Sequence, residues 1–169
     1  MPGTDRKYQK RFQKSANLYE PCVECQKKRT ICVRVRRKHN LGHAAVSVHE
    51  PLANGTTRTT TYALWPQMGA KERGATDLQR NYKGDDFSNT DDWDPKDVKC
   101  REMDKEQEEK LKEAVNTPLN YDFSQGNWCS TWASGTYNSV TGSNLGGFLP
   151  SSLGNSINPP VLDSLPIMP

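Results

Sequence analysis

The 169-residue sequence predicts a single α+β domain, an antiparallel sheet packed on helices. Three observations carry that expectation. Apolar and polar residues alternate through residues 29–66, the period of half-buried strands. Helical spacing follows over residues 102–116 and 129–140. No stretch approaches the roughly 18 consecutive apolar residues of a membrane-spanning helix.

The first strand spans Arg29 to Arg37, where Ile31, Val33 and Val35 alternate with Cys32, Arg34 and Arg36. Asn40-Leu41-Gly42 breaks it. A second strand runs from about His43 to Glu50. Its period of two turns Ala44, Val46 and Val48 to one face and His43, Ala45, Ser47 and His49 to the other. Asn54-Gly55 marks a hairpin turn. Thr56 to Trp65, dense in Thr, Tyr and Trp, is a third strand that Pro66 ends. The three form an antiparallel meander.

Gln67 to Lys99 is a polar surface excursion with room for one more strand near Leu78 to Tyr82. A helix from about Glu102 to Asn116 carries a thin apolar stripe of Met103, Leu111, Ala114 and Val115, and Pro118 stops it. A second helix spans about Cys129 to Val140 and stops at Gly142. The chain thus divides into a basic arm over residues 1–20, a folded domain over 21–142, and a Gly/Ser/Pro-rich tail over 143–169. That tail wraps the domain or is disordered.

Charge is unevenly spread. The net charge of +3 conceals a basic first third and an acidic middle between Asp85 and Glu113. From Phe123 to the end the only charged residue is Asp163. The basic arm suits an anionic partner, or pairs loosely with the acidic middle of the same chain. No apolar run follows it, so a Sec signal peptide is not expected.

Five cysteines, at 22, 25, 32, 100 and 129, do not read as a disulfide framework in a chain without a secretory signal. Cys22, Cys25, Cys32 and His39 have the donor types for a Cys3His zinc site. Their spacing matches no zinc-finger pattern, so a labile Cys22–Cys25 disulfide or plain thiols are preferred. Cys100 reads as a structural thiol.

Cys129 opens a predicted helix, behind Asn127 and ahead of Ser130. A cysteine there meets the positive end of the helix dipole, and its backbone N–H points toward a developing oxyanion. The three histidines are His39, His43 and His49. His43 follows Gly42 at the start of a strand and is flanked by small residues. It is the candidate base.

These residues resemble the permuted branch of the papain-like NlpC-type cysteine hydrolases, which includes the lecithin:retinol acyltransferase-like proteins. The similarity lies in Gly42-His43-Ala44-Ala45-Val46-Ser47-Val48, in Tyr62-Ala63-Leu64-Trp65-Pro66, and in Asn127-Trp128-Cys129-Ser130-Thr131-Trp132-Ala133. It covers roughly residues 40–66 and 102–142. The resemblance implies a papain-like fold in permuted order, the His strand before the Cys helix. It implies Cys129 as nucleophile and His43 as general base, with Asn127 and Ser130 supporting the site. The family's third polar residue has no clear counterpart; Gln67 and His49 are the candidates. No cofactor is implied.

Many bacterial relatives look like antibacterial toxins delivered by type VI secretion. The resemblance therefore implies a hydrolase made in the cytoplasm and acting at a target cell's envelope, with a cognate immunity protein and a secretion-machinery carrier as partners. Phospholipid acyl esters are slightly preferred as substrate, with peptidoglycan peptide bonds the alternative. A non-catalytic nucleic-acid-binding module built on the basic third and the CxxC is the alternative of another class; nucleic acid is not the expected partner. An inactive relative serving as adaptor is a third.

Overall fold

The protein is seen in a computed structural model that describes residues 28–37, 42–66, 76–81, 93 and 95–160. Strands β1 (Thr30–Arg36), β2 (His43–Pro51) and β3 (Thr57–Leu64) form the expected meander. Two short strands, β4 (Leu78–Arg80) and β5 (Val98–Glu102), close the edges. The order is β4-β3-β2-β1-β5, and every neighbouring pair is antiparallel. Helices α1 (Lys105–Asn116), α2 (Cys129–Thr141) and α3 (Pro150–Ile157) complete the architecture. The fold is α+β with a five-stranded antiparallel sheet.

Strand alternation decides what each face carries. Ile31, Val33 and Val35 of β1 and Ala44, Val46 and Val48 of β2 point to one side. There they pack with Leu111 of α1, Ala133, Tyr137 and Val140 of α2, and Leu153 of α3. The intervening residues of the same strands face the other way. On that side Ala45 and Ala63 pack with Trp93, and Trp65 leans on them.

Local chemistry sets the helix ends. Asp104 caps α1: its carboxylate accepts from the Gln107 N–H while the Gln107 side chain accepts from the Asp104 N–H. Gly142, at φ 69°, takes the left-handed conformation that ends α2. α3 departs from the irregular tail expected over this stretch. Its Gly, Ser and Asn content hides it, but Pro150 holds the first helical position and Leu153 is fully buried against the sheet. Arg37 clamps this helix: it donates to both carboxylate oxygens of buried Asp97 and to Asn155 Oδ1.

β5 was also unforeseen. Its residues sit in a polar stretch where alternation is faint, and pairing with β1 places Cys32 directly opposite Cys100. The two form a disulfide across 68 residues of sequence, with Cα atoms 4.1 Å apart. This corrects two expectations: Cys100 is not a lone thiol, and Cys32 is not available to a zinc site. The cross-link ties the edge strand β5, and the helix that follows it, to β1. Reducing it, or substituting Cys32→Ser, should lower the unfolding free energy by about 2–4 kcal/mol in urea titrations, with no further loss when both are combined.

Candidate active site

Cys129 and His43 each open an element: Cys129 is the first residue of α2, His43 the first of β2. Cys129 is buried, and among the described residues it is the one cysteine that remains a free thiol. Trp128 precedes it in extended conformation, and the Trp128 N–H donates to Thr131 Oγ1 within the first turn. The remaining N–H groups of that turn precede the helical ladder, as at any helix start.

His43 is 3% exposed. Its ring stacks on Trp65 at 3.9 Å between centroids and meets the edge of Trp93 at 6.1 Å. The Arg36 guanidinium lies over Trp93 at 5.3 Å. The hairpin register explains the stack. Val46 pairs with Tyr62, which carried along the strands sets His43 beside Trp65, one residue short of position 66, where a tight Asn54-Gly55 turn would place it. The loop is wider than a two-residue turn: Pro51 pairs with Thr57, and Gly55 adopts φ 82° inside it.

The imidazole therefore lies on the Ala45 side of β2, whereas α2 packs on the Ala44 side. The two residues nevertheless share one end of the sheet. Ser130 Oγ donates to the Phe148 carbonyl, and the Trp128 indole N–H donates to the same oxygen. Two residues on, Pro150 lies against Gly42, where an added Cβ would sit 3.1 Å from the Pro150 Cβ and 2.5 Å from the Arg36 carbonyl oxygen. Gly42, at φ 74°, is thus fixed as glycine next to His43.

A second tie runs through Asp77, which is fully buried. Its carbonyl accepts from the Trp65 N–H, and its carboxylate accepts from the Tyr121 N–H at 2.7 Å. Burial, and then the neighbouring Cys129, raise the Tyr121 phenol above its ordinary range. One aspartate thus links the residue stacked on His43 to a residue beside Cys129.

The other predicted residues divide clearly. Asn127 is held by paired backbone hydrogen bonds with Asp122 and lines a cavity of about 310 Å³ with Gly126, Thr131 and Trp132. The Ser130 hydroxyl is committed to the Phe148 carbonyl, so only its backbone N–H can face a substrate. Gln67, Cys22, Cys25 and His39 lie outside the described residues. Asp77 was missed because a single acid within a polar excursion gives no periodic signal.

His49 is not beside His43. It sits further along β2 in a network of its own. Its Nε2 lies 3.1 Å from Ser47 Oγ and 3.3 Å from Arg34 Nη2, and its Nδ1 lies 3.0 Å from Thr59 Oγ1. Arg34 Nε donates to Ser47 Oγ at 3.1 Å. Burial, and then the Arg34 charge, lower the His49 pKa. Comparison with protein-family models, curated proteins and solved structures finds no match to this chain.

The His49 network predicts a pH dependence. Its folded-state pKa lies below the ordinary value of about 6.5, so the unfolded chain takes up the proton first as pH falls. The contribution is complete above about pH 6.5 and is lost as pH falls through the lower folded value. Chemical denaturation between pH 7.5 and about 5 should show stability falling with acid, and His49→Gln should flatten that slope.

Proposed function

We propose that the protein is a cysteine hydrolase of the permuted papain-like type, acting as a toxin on a bacterial envelope substrate. The observation that carries this reading is the assembly of the α2 N-terminus and the β2 start at one end of the sheet. The Phe148–Pro150 and Asp77 ties both join them. Cys129 gives up its thiol proton to His43, and the sulfur adds to a carbonyl carbon. The α2 N–H groups donate to the oxyanion. His43 returns the proton to the departing alcohol or amine, and water hydrolyses the thioester. The step requires the His43 imidazole, which the Trp65 stack holds, to come within hydrogen-bond reach of the Cys129 sulfur.

The Cys32–Cys100 disulfide supports action outside a reducing cytosol. A phospholipid acyl ester is the preferred substrate, and a peptidoglycan amide the alternative. An immunity protein in the producing cell and a secretion carrier belong to the same reading. Residues 1–27, with Cys22 and Cys25, on which the nucleic-acid reading rests, lie outside the described residues.

Expression in a bacterial host, with and without export to the periplasm, tests the proposal. Exported wild type should arrest growth, while Cys129→Ala and His43→Ala should each reduce activity by about a thousandfold or more and restore growth. Trp65→Ala should leave growth arrest in place, since it frees the ring. Arrest that persists in both Cys129→Ala and His43→Ala would overturn the reading.

A further inference from the structure

The surface beside the α2 N-terminus carries two exposed aromatic rings. Phe123 is 50% exposed and Phe148 58%, the largest exposures among the bulky apolar side chains of the described residues. They flank Trp128, which is only 2% exposed. Phe123 stacks on Trp128 at 4.3 Å between centroids, and Phe148 meets its edge at 3.9 Å. The two phenylalanines lie 5.9 Å apart. The rings thus form one raised cluster with a buried indole beneath it.

The backbone holds the cluster in place. Gly147 sits at φ 150°, and a Cβ there would lie 2.4 Å from the Leu153 backbone, so only glycine fits before Phe148. The Phe148 carbonyl accepts from Ser130 Oγ and the Trp128 indole N–H. The polar atoms behind the rings are therefore already hydrogen-bonded inside the protein. Burying the rings in an apolar medium strands none of them.

The chain around the cluster fits the same medium. Residues 123–160 contain no Asp, Glu, Lys, Arg or His. Asp122, the nearest carboxylate in sequence, is turned into its own loop, where it accepts from Ser124 and Gln125. Covering the two rings with hydrocarbon desolvates no charge of residues 123–160.

We propose that Phe123 and Phe148 dock the protein on a phospholipid bilayer, inserting at the boundary between headgroups and acyl chains. This rests on the hydrolase reading and narrows its substrate to a lipid presented at a membrane surface. Docking sets the α2 N-terminus, and with it Cys129, against the plane in which acyl esters lie.

The test is sedimentation of the full chain with phosphatidylcholine vesicles, in a Cys129→Ala background so that binding is read without turnover. High salt screens the basic arm. The parent chain should sediment with the vesicles. The double substitution Phe123→Ser/Phe148→Ser should weaken partitioning by about tenfold or more, while Leu52→Ser, at an exposed apolar residue elsewhere, should leave it unchanged. Phe123→Leu/Phe148→Leu should retain binding, and circular dichroism checks that each variant folds. Equal sedimentation of the parent chain and the double Ser variant would overturn the proposal. So would loss of binding to purified peptidoglycan sacculi, rather than to vesicles, on the same substitution. Cys129-dependent toxicity with vesicle binding indifferent to the rings would remove the docking surface and leave the hydrolase. Ring-dependent binding with toxicity independent of Cys129 would do the reverse.

Discussion

The period of two along β2 is the constraint on which the rest depends. Ala44, Val46 and Val48 must be small or branched to receive α2, and they form the core that holds the helices. The same pleat sends His43, Ala45, Ser47 and His49 to the opposite side. A shift of one residue would exchange the two sets and expose the core. The position of His43 is therefore fixed by core packing as much as by the chemistry proposed for it.

Two devices then bring the remaining candidate groups to one end of that sheet. A carbonyl at Phe148 gathers the α2 N-terminus, and Pro150 fits against Gly42 at the start of β2. Buried Asp77 joins Trp65 to Tyr121 from the β3 side. Glycine is obligatory at two points of this arrangement, Gly42 and Gly147, because a Cβ at either collides with backbone. Such crowding favours one discrete arrangement over a continuum.

Much of this was legible in the sequence, and the limits are physical. The faces of β1 and β2 followed from alternation alone, residue by residue, and α2 from Cys129 through Gly142 followed from spacing and a glycine stop. The register of the β2–β3 hairpin did not, because Asn54-Gly55 signals a two-residue turn while the wider loop sets His43 beside Trp65. β5 and its disulfide were hidden because pairing between Cys32 and Cys100 is a long-range choice that no local pattern encodes. α3 was hidden by Gly, Ser and Asn, whose weak helix propensity is overridden by burial of Leu153. Within the candidate site, Cys129 and His43 stood out by resemblance, whereas Asp77 and the Arg34–Ser47–His49–Thr59 network emerge only in three dimensions.

The measurement that bears most directly on the account is mass spectrometry of the protein quenched with acid during turnover of a p-nitrophenyl acyl ester, followed by peptide mapping. The account predicts one acyl group, carried on Cys129 and released by hydroxylamine, with none on the His43→Ala chain. An acyl group on Ser47, beside His49, would contradict it by moving the chemistry to the opposite face of the sheet. So would an unmodified Cys129 while the ester is being consumed.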